Sequence, residues 1–513
     1  MLLATVVDAS AQVAATRSRK AKTAALAAVL AAAGPDEVRP VTAWLAGDML
    51  QGRTGIGWRT LSGVAVEPAA EPSLSVGDVE AALDRLAAMA GSGAGVGARR
   101  TAELESLLGA ATADEGRFLV RLLGGELRQG ALEGLMIEAV AAAATVASEA
   151  TGSGVRVPAD AVRRAFMLSG RLPTTAMAAL TSDDPVATLG GIGLEVMRPL
   201  RPMLASPGDS LEATLADLGS DVVVEHKLDG ARIQVHRRGD EVRVWSRTLH
   251  EITGAVPEIV GLVREMPVET VVLDGETLAV SEDGRPRAFQ DSMKGLGSGA
   301  MRPWFFDCLH RDGTDLVDEP LETRRRELAA VVGDRVIPGV VRPTPEEAAA
   351  EVRAALAAGQ EGSMVKALDS PYTAGRRGRS WQKIKPAHTL DLVVLACEWG
   401  SGRRRGWLSN IHLGARDAES GEFVMVGKTF KGMTDETLRW QTDTFPRYET
   451  SRDAYTVYLR PEIVVEIELD GVQTSTRYPG GVALRFARVV RYRDDKPASE
   501  TDTIDAVRGL RPT

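Results

Sequence analysis

Cysteine is nearly absent from this chain of 513 residues, which contains only Cys308 and Cys397. Two thiols cannot build a disulfide framework or a four-cysteine zinc site, and their scarcity favours a reducing compartment. The chain also lacks any run of about 18 uninterrupted apolar residues, the length that a membrane-spanning helix needs. Its most apolar segment, 134–150, contains Glu138 and Glu149 and predicts a buried helix instead.

The amino terminus lacks the order of a secretory signal, because its apolar residues precede any positive charge. These absences predict a cytoplasmic protein with no membrane partner. A net charge of -9 does not exclude nucleic acid, since non-specific binding depends on local basic surface. The segment 375–385 holds five basic residues and no acidic one. A single basic run is nevertheless more often a solvated face than a binding site.

The length of the chain predicts about three domains. Residues 1–195 show apolar positions at helical spacing and predict an all-α domain, with a Gly/Ser-rich loop at 91–98. Residues 196–387 alternate short β-rich runs with helical stretches, which predicts an α+β domain. Residues 388–513 contain short strands and one brief helical stretch, so we expect an all-β barrel there. The charged tail after Pro497 is expected to be only partly ordered.

Lys227 stands at the predicted end of a strand, immediately before a Leu-Asp-Gly turn. An amine presented there could attack the α-phosphate of a nucleotide and form a phosphoramidate, which divides one difficult reaction into two easier ones. Only a neutral amine is nucleophilic, so nearby positive charge or burial would favour the reactive form. Taken alone, a Lys-x-Asp-Gly sequence is more often a salt-bridged surface turn than a nucleophile.

Three further lysines could supply the positive charge. Lys383 and Lys385 lie two residues apart and would share one face of a strand with Trp381, while Lys366 ends another strand. Such side chains could neutralise a triphosphate. Individually, each is more often an ordinary surface lysine.

Two glutamates and one phenylalanine could complete a nucleotide site. Glu276 and Glu361 each stand beside a glycine, where hard carboxylate oxygens could hold Mg²⁺ or a ribose hydroxyl. Phe306 could stack on a base. Taken singly, the glutamates are more often ion-paired or solvated and the phenylalanine more often belongs to a core.

The order of these motifs resembles that of the ATP-dependent DNA ligases, which belong to the covalent nucleotidyltransferase superfamily. The matching segments are KLDGAR at 227–232, SRT at 246–248, LDGE at 273–276, FFDCLHRDG at 305–313, EGSMVK at 361–366, WQKIK at 381–385 and RFARVVRYRDDK at 485–496. The resemblance implies that Lys227 is adenylated and that Glu276 and Glu361 bind metal. It implies nucleotide contacts by Glu225, Arg232, Arg247, Glu276, Phe306, Lys366, Arg377, Lys383, Lys385, Arg485 and Arg488.

One residue departs from the family pattern. Ala487 stands where proline is usual in the last motif, which removes a backbone restraint worth about 1 kcal/mol. Arg485, Arg488, Arg491 and Lys496 remain, so we expect the motif to stay functional.

The helical amino-terminal region resembles the DNA-binding domain of these ligases through GELRQGALEG at 125–134 and RPLRPMLA at 198–205. The resemblance therefore implies a multidomain ligase with an all-α DNA-binding domain, an α+β nucleotidyltransferase domain and an all-β oligonucleotide-binding (OB) barrel. We expect it to seal nicks in duplex DNA in repair, replication or recombination, using ATP and Mg²⁺, with Mn²⁺ as a substitute. We also expect a monomer that contacts the DNA backbone without sequence specificity.

Other functions compete with this reading. An RNA ligase or capping-type nucleotidyltransferase would share the catalytic motifs but would lack the large helical domain. An NAD⁺-dependent ligase would need a zinc module, for which two cysteines leave no room. A non-catalytic nick-binding protein would not need the complete set of lysines and glutamates. A labelled-nucleotide assay for a covalent adduct separates these possibilities.

Overall fold

The structure is a computed structural model. It describes residues 1–52, 54–89, 94–127, 129–130, 133–150, 152–279, 301–374, 377–385 and 388–511. Two compact units are formed from interleaved segments of the chain. Unit 1 consists of Met1–Ser206, Gly230–Ile337 and Lys366–Gln382. Unit 2 consists of Pro207–Asp229, Pro338–Val365 and Lys383–Thr513. The division into domains at 1–195, 196–387 and 388–513 stays a prediction.

Capping residues and glycines mark the starts and ends of helices in the amino-terminal part. The Thr112 hydroxyl accepts a hydrogen bond from the Glu115 N–H, and the Glu115 carboxylate accepts one from the Thr112 N–H at 2.8 Å. This reciprocal cap starts a helix that buries Phe118 and Leu122 and ends before Gly124. The helices here are α1 Leu3–Ala15, α2 Arg19–Ala31, α3 Pro35–Leu45, α4 Trp58–Gly63, α5 Val76–Ala88, α6 Ala94–Ala110, α7 Ala113–Leu123, α8 Glu133–Ala150, α9 Ala159–Ser169, α10 Leu172–Leu180 and α11 Pro185–Gly190.

These helices share one apolar core, to which Val6, Leu30, Trp44 and Ile137 contribute. The buried helix predicted at 134–150 is confirmed as α8. The loop predicted at 91–98 is wrong from residue 94 onward, because α6 begins there and buries Leu104 against the core. Packing of the apolar face therefore outweighs the low helical propensity of the glycines. Residues 91–93 lie outside the described residues.

The central part of the chain alternates strands and helices, as its sequence predicts. Its elements are β1 Leu204–Pro207, α12 Leu211–Leu218, β2 Val222–Lys227, β3 Ala231–Arg238, β4 Glu241–Ser246, α13 Pro257–Arg264, β5 Thr270–Ala279, β6 Met301–Arg311, β7 Thr314–Asp315, α14 Leu321–Val332, β8 Gly339–Val341, α15 Pro345–Ala357, β9 Gly362–Ala367 and β10 Arg377–Ile384. Short 3-10 helices lie at Thr253–Ala255 and Gly333–Arg335.

Two sheets organise this part. An antiparallel sheet in unit 1 has the order β4-β3-β5-β6-β7. Residues of this sheet, among them Ile233 and Leu273, form one apolar core with residues of α13 and α14. The second sheet has the order β1-β10-β9-β2-β8. Gly362 begins β9 with φ near +146°, and a side chain there would collide with the carbonyl oxygen of Ile384. Only glycine permits this close approach beside Glu361.

The carboxy-terminal part is mainly β, which agrees with the pattern of short strands in its sequence. Its elements are β11 His388–Trp399, β12 Leu408–Arg416, β13 Phe423–Thr429, α16 Asp435–Thr444, β14 Glu449–Arg452, β15 Thr456–Leu459, β16 Val464–Leu469, β17 Gly471–Thr474, β18 Val482–Arg485, β19 Arg488–Tyr492 and α17 Ile504–Gly509, with 3-10 helices at Gly402–Arg404, Phe445–Tyr448 and Ala498–Glu500. A seven-stranded sheet follows the order β13-β12-β11-β15-β14, with β16 pairing to β11 and β19.

The carboxy-terminal tail is more ordered than predicted. Helix α17 buries Ile504 and Val507 against the core of the seven-stranded sheet. These apolar residues outweigh the charged composition that suggested partial order. Both cysteines are free and buried. Among the residues that the structure covers, no helix combines the length and apolarity needed to cross a bilayer.

Glu398 gives the seven-stranded sheet an acid-sensitive contact. Its carboxylate accepts a hydrogen bond from Asn410 Nδ2 at 2.6 Å, pairs with His412 Nε2 at 3.0 Å and contacts Lys428. Burial opposes ionisation of Glu398, but these partners outweigh it and lower its pKa from 4.5 to about 2. The carboxylate therefore stabilises the folded protein where it is ionised, and this stabilisation disappears as the pH falls through the folded pKa.

We expect Glu398→Gln to lower the free energy of unfolding by about 1 kcal/mol at pH 7. The difference from the unsubstituted protein should be constant above the unfolded pKa of 4.5 and should shrink between pH 4.5 and about 2. Thermal unfolding across that pH series measures it. Glu419→Gln, in an exposed turn, is the matched control and should show no such convergence. A Glu398→Gln difference that stays constant to pH 2 would contradict the assignment.

Candidate active site

Lys227 ends β2, and in unit 2 it faces the carboxylate of Glu361. Backbone pairing fixes this register, because the Glu361 N–H donates to the Lys227 carbonyl oxygen at 3.1 Å. One carboxylate oxygen of Glu361 contacts Lys227 Nζ, and the other contacts Lys385 Nζ. A single carboxylate thus joins two amines, those of Lys227 and Lys385, that are far apart in sequence.

The charges of this cluster shift one another's protonation. Burial opposes ionisation of Glu361, but the Lys227 and Lys385 amines outweigh it and lower the pKa of the carboxyl group. Burial also lowers the pKa of Lys383, and the nearby charges of Lys385 and Lys227 lower it further. Lys385 behaves oppositely: burial lowers its pKa, but contacts with Glu361 and Asp470 overcome this and raise it. The cluster is therefore rich in positive charge but partly neutralised by carboxylates.

The residues after Lys227 join a second ion pair in unit 2. Arg485 Nη1 donates to Asp229 Oδ2 at 2.8 Å, and Nη2 lies 3.4 Å from Oδ1. This contact raises the pKa of the Arg485 guanidinium, chiefly through the hydrogen bond to Asp229. Arg488, three residues on, has a mostly exposed side chain 3.5 Å from Glu468. Arg485 thus lies close to the lysine motif in space, whereas Arg488 faces solvent.

Glu225 lies two residues before Lys227 and is fully buried in β2. Its backbone pairs with Gly339 of β8. This placement fits a fixed structural position beside the lysine, as expected for a residue on a buried strand.

Unit 1 contains a second group of the predicted residues, centred on Arg232 at the start of β3. Arg232 donates to both oxygens of Asp274, from Nε at 3.0 Å and from Nη2 at 2.6 Å. The Tyr372 hydroxyl donates to the same carboxylate at 2.7 Å. Burial opposes the charge on Arg232, but Asp274 outweighs it and raises the pKa of the guanidinium. Asp274 therefore fixes the orientation of Arg232.

Phe306 and Lys366 lie together in unit 1, and both are almost entirely buried. The Lys366 amine is 4.5 Å from the centroid of the Phe306 ring and 4.2 Å from that of Trp381. The two rings meet edge to face with centroids 6.0 Å apart. Burial lowers the pKa of Lys366 well below its ordinary value. The Lys366 side chain thus packs against the Phe306 and Trp381 rings instead of extending into solvent.

The remaining predicted residues of unit 1 are dispersed along its strands. Glu276 is half-buried in β5 and pairs across the sheet with Arg232. Arg247 is exposed in the turn after β4. Arg377 begins β10, but its side chain lies outside the described residues. Within the described ranges, no group of three or more His, Cys, Asp or Glu side chains is arranged to hold a metal ion.

Sequence reasoning missed four participants in these clusters, Asp229, Asp274, Tyr372 and Asp470. Asp229 and Asp274 stand inside the quoted motifs KLDGAR and LDGE, so their proximity to candidate residues was a usable signal. Tyr372 and Asp470 lie outside every motif, and only the folded chain reveals their contacts. In unit 2, the Lys227 amine thus lies among further cations and carboxylates. In unit 1, the Phe306 ring lies beside Arg232, whose orientation Asp274 fixes.

Family comparisons cover most of the chain. Residues 202–385 match the family described as ATP dependent DNA ligase domain. Residues 404–496 match the ATP dependent DNA ligase C terminal region, and residues 63–141 match the DNA ligase N terminus.

Full-length relatives and one solved structure agree with these matches. A protein of Rhodococcus jostii named Probable DNA ligase is 58% identical, and the alignment covers 100% of both chains. A protein of the same name from Saccharopolyspora erythraea is 60% identical over 100% of this chain and 98% of its own. The solved structure Pmar-Lig_PreS3 covers 95% of this chain and 99% of its own at 18% identity, with a TM-score of 0.62. That last similarity is one of fold and shows that the chain has a multidomain architecture of helices and sheets.

Proposed function

Since this chain belongs to the ATP-dependent DNA ligases, we propose that Lys227 is the side chain on which it stores AMP. The position of the Lys227 amine carries the proposal, because it ends β2 against Glu361 and lies within the charge field of Lys383. Lys385 suits this role less well, because its contacts with Glu361 and Asp470 raise the pKa of its amine.

The ligase reaction then proceeds by three transfers at phosphorus. Lys227 Nζ, as the neutral amine, attacks the α-phosphorus of ATP; a P–N bond forms, the nitrogen loses a proton and pyrophosphate leaves. An oxygen of the 5′-phosphate at the nick next attacks the AMP phosphorus, the P–N bond breaks and the lysine departs with a proton. Finally the 3′-hydroxyl loses its proton and attacks the 5′-phosphorus, which joins the strands and releases AMP.

Glu361 holds the nucleophile in an ion pair, because its carboxylate contacts the Lys227 amine. Attack on phosphorus needs a neutral amine whose lone pair faces the α-phosphorus, so this contact has to break before the P–N bond forms.

The other predicted residues divide by the part of the substrate that they suit. The phosphate contacts are proposed to be Lys383, Lys385, Arg485 and Arg488. The further nucleotide contacts are proposed to be Arg232, Arg247, Glu276, Phe306, Lys366 and Arg377. Lys366 is proposed to affect nucleotide binding indirectly, through the Phe306 ring that it contacts. Glu225 is proposed to contact the adenine.

The side chains of the two proposed metal ligands are carboxylates, and their hard oxygen atoms are the ligands that Mg²⁺ prefers. Glu361 and Glu276 are each proposed to bind Mg²⁺, with Mn²⁺ as a substitute. When bound, the ion neutralises phosphate charge.

The helical region 1–195 is proposed to bind nicked duplex DNA by contacts with the DNA backbone, without sequence specificity. We also propose that the protein is a monomer. Residues 196–387 would form the nucleotidyltransferase domain, and residues 388–513 an OB-type barrel. The free thiols Cys308 and Cys397 suit the reducing cytoplasm, which we propose as the location.

An adduct assay tests the proposed nucleotide and substrate. Incubation with labelled ATP and Mg²⁺ is expected to produce a covalent AMP adduct before any DNA is added, whereas GTP and NAD⁺ should produce none. A nicked DNA duplex should then discharge the adduct and be sealed, and a nicked RNA duplex should not. The absence of an ATP-derived adduct would contradict the proposal for Lys227, and preferential sealing of RNA would contradict the proposed DNA substrate.

A further inference from the structure

Asp470 lies in the turn between β16 and β17, outside every motif that the sequence presents. Its carboxylate oxygen Oδ2 is 2.9 Å from Lys385 Nζ. Its backbone N–H donates to the carbonyl oxygen of Arg485 at 3.0 Å. Asp470 therefore connects two of the cations that are proposed to bind the phosphates of ATP, and all these residues belong to unit 2.

The two carboxylates on Lys385 are not equivalent. Glu361 precedes β9 and is shared with Lys227, and its side chain is only 11% exposed. Asp470 contacts Lys385 from the carboxy-terminal part of the chain, and its side chain is 35% exposed. The next residue, Gly471, has φ near +150° and would meet no neighbour within 4 Å if it carried a Cβ. Asp470 is thus the carboxylate that can more easily leave Lys385.

We propose that Asp470 acts as a replaceable counter-ion, which occupies on Lys385 the place that a phosphate of ATP takes when the nucleotide binds. The inference rests on the proposed function, in which Lys385 is a phosphate contact. A phosphate oxygen and the Asp470 carboxylate compete for one ammonium group, because both accept the same N–H donors. Asp470 thereby sets the affinity for ATP.

Asp470→Asn tests this competition, because asparagine keeps the shape of the side chain and removes its charge. The ATP concentration that gives half-maximal Lys227 adenylation is expected to fall about fivefold, equivalent to about 1 kcal/mol for a partly exposed ion pair. The maximal adenylation rate should not change. A merely structural role would instead raise that concentration or lower the maximal rate.

Three further variants complete the design. Asp470→Glu retains the charge and should restore the original ATP dependence. Asp470→Ser provides a second neutral replacement if asparagine disturbs the turn. Glu462→Gln removes one charge from an exposed pair with Arg460 in the same part of the chain and should leave ATP dependence unchanged. Thermal unfolding of every variant verifies that its fold is retained.

The outcomes separate this proposal from the one on which it rests. If the unsubstituted protein forms no ATP adduct, the proposed function fails. If it forms the adduct but Asp470→Asn and Asp470→Ser leave the half-maximal ATP concentration unchanged or higher, the counter-ion role is overturned. An equal fall in Glu462→Gln would also overturn it, because the effect would then reflect net charge alone. Loss of the fold in both neutral variants would show that Asp470 is structural and not replaceable.

Discussion

Lys227→Ala is expected to abolish the AMP adduct and to reduce ATP-dependent nick sealing by roughly 10⁴-fold or more, the scale seen when a catalytic nucleophile is removed. The alanine methyl group cannot form the P–N bond, and Lys385 is proposed to bind a phosphate through its ammonium group, which has no lone pair for attack. Intact-protein mass after incubation with ATP measures the adduct, and denaturing electrophoresis of a labelled nicked duplex measures sealing. Binding of nicked DNA should remain largely intact.

A substrate that already carries AMP on its 5′-phosphate isolates the role of Lys227. The last transfer joins the 3′-hydroxyl to an adenylated phosphate and needs no nucleophilic lysine, so Lys227→Ala should still seal this substrate. Lys227→Arg preserves the positive charge beside Glu361 and should fail in the first step as alanine does. If either variant sealed ordinary nicks from ATP, the nucleophile would be misassigned. If alanine failed on the adenylated substrate, Lys227 would have a further role in the last transfer.

The strands that carry the site were predictable because their signals are local. The run Val222–Lys227 is apolar at its start and ends at a Leu-Asp-Gly turn, and the structure has β2 over the same residues. The alternating runs on either side of Gly239 are typical of a hairpin, which β3 and β4 form. Each of these features depends on neighbours within a few residues, where period-two alternation and turn residues are informative.

The partners of Lys227 were not predictable in the same way. Its contact with Glu361 spans 134 residues and depends on the pairing between β2 and β9, which no periodicity specifies. Lys366 illustrates the opposite difficulty, because a lysine in a motif is expected to meet phosphate, whereas here it is buried against Phe306 and Trp381. Sequence identifies the types of residue present, but burial and ion pairing are properties of the assembled fold.

Arg324→Met is expected to lower the free energy of unfolding by about 3 to 5 kcal/mol, the usual range when one partner of a buried ion pair is removed. Arg324 and Asp307 are both fully buried, with Nε donating to Oδ1 at 2.7 Å and Nη2 to Oδ2 at 3.1 Å. Arg324 Nη1 also donates to the carbonyl oxygen of Ser370 at 2.9 Å. Methionine fills much of the volume but leaves the Asp307 carboxylate without its counter-charge in a dry interior. Calorimetry should show a lowered unfolding transition.

Two comparisons show whether the unpaired charge causes this loss. Arg326 lies on the same helix, is mostly exposed and is 3.6 Å from Glu327. Arg326→Met should therefore change the free energy of unfolding by at most about 0.5 kcal/mol. Replacing both buried partners, Arg324→Met with Asp307→Leu, should recover much of the stability, because the carboxylate that lost its arginine is then also removed. If the double variant is no more stable than Arg324→Met, lost packing and backbone hydrogen bonds account for the effect instead.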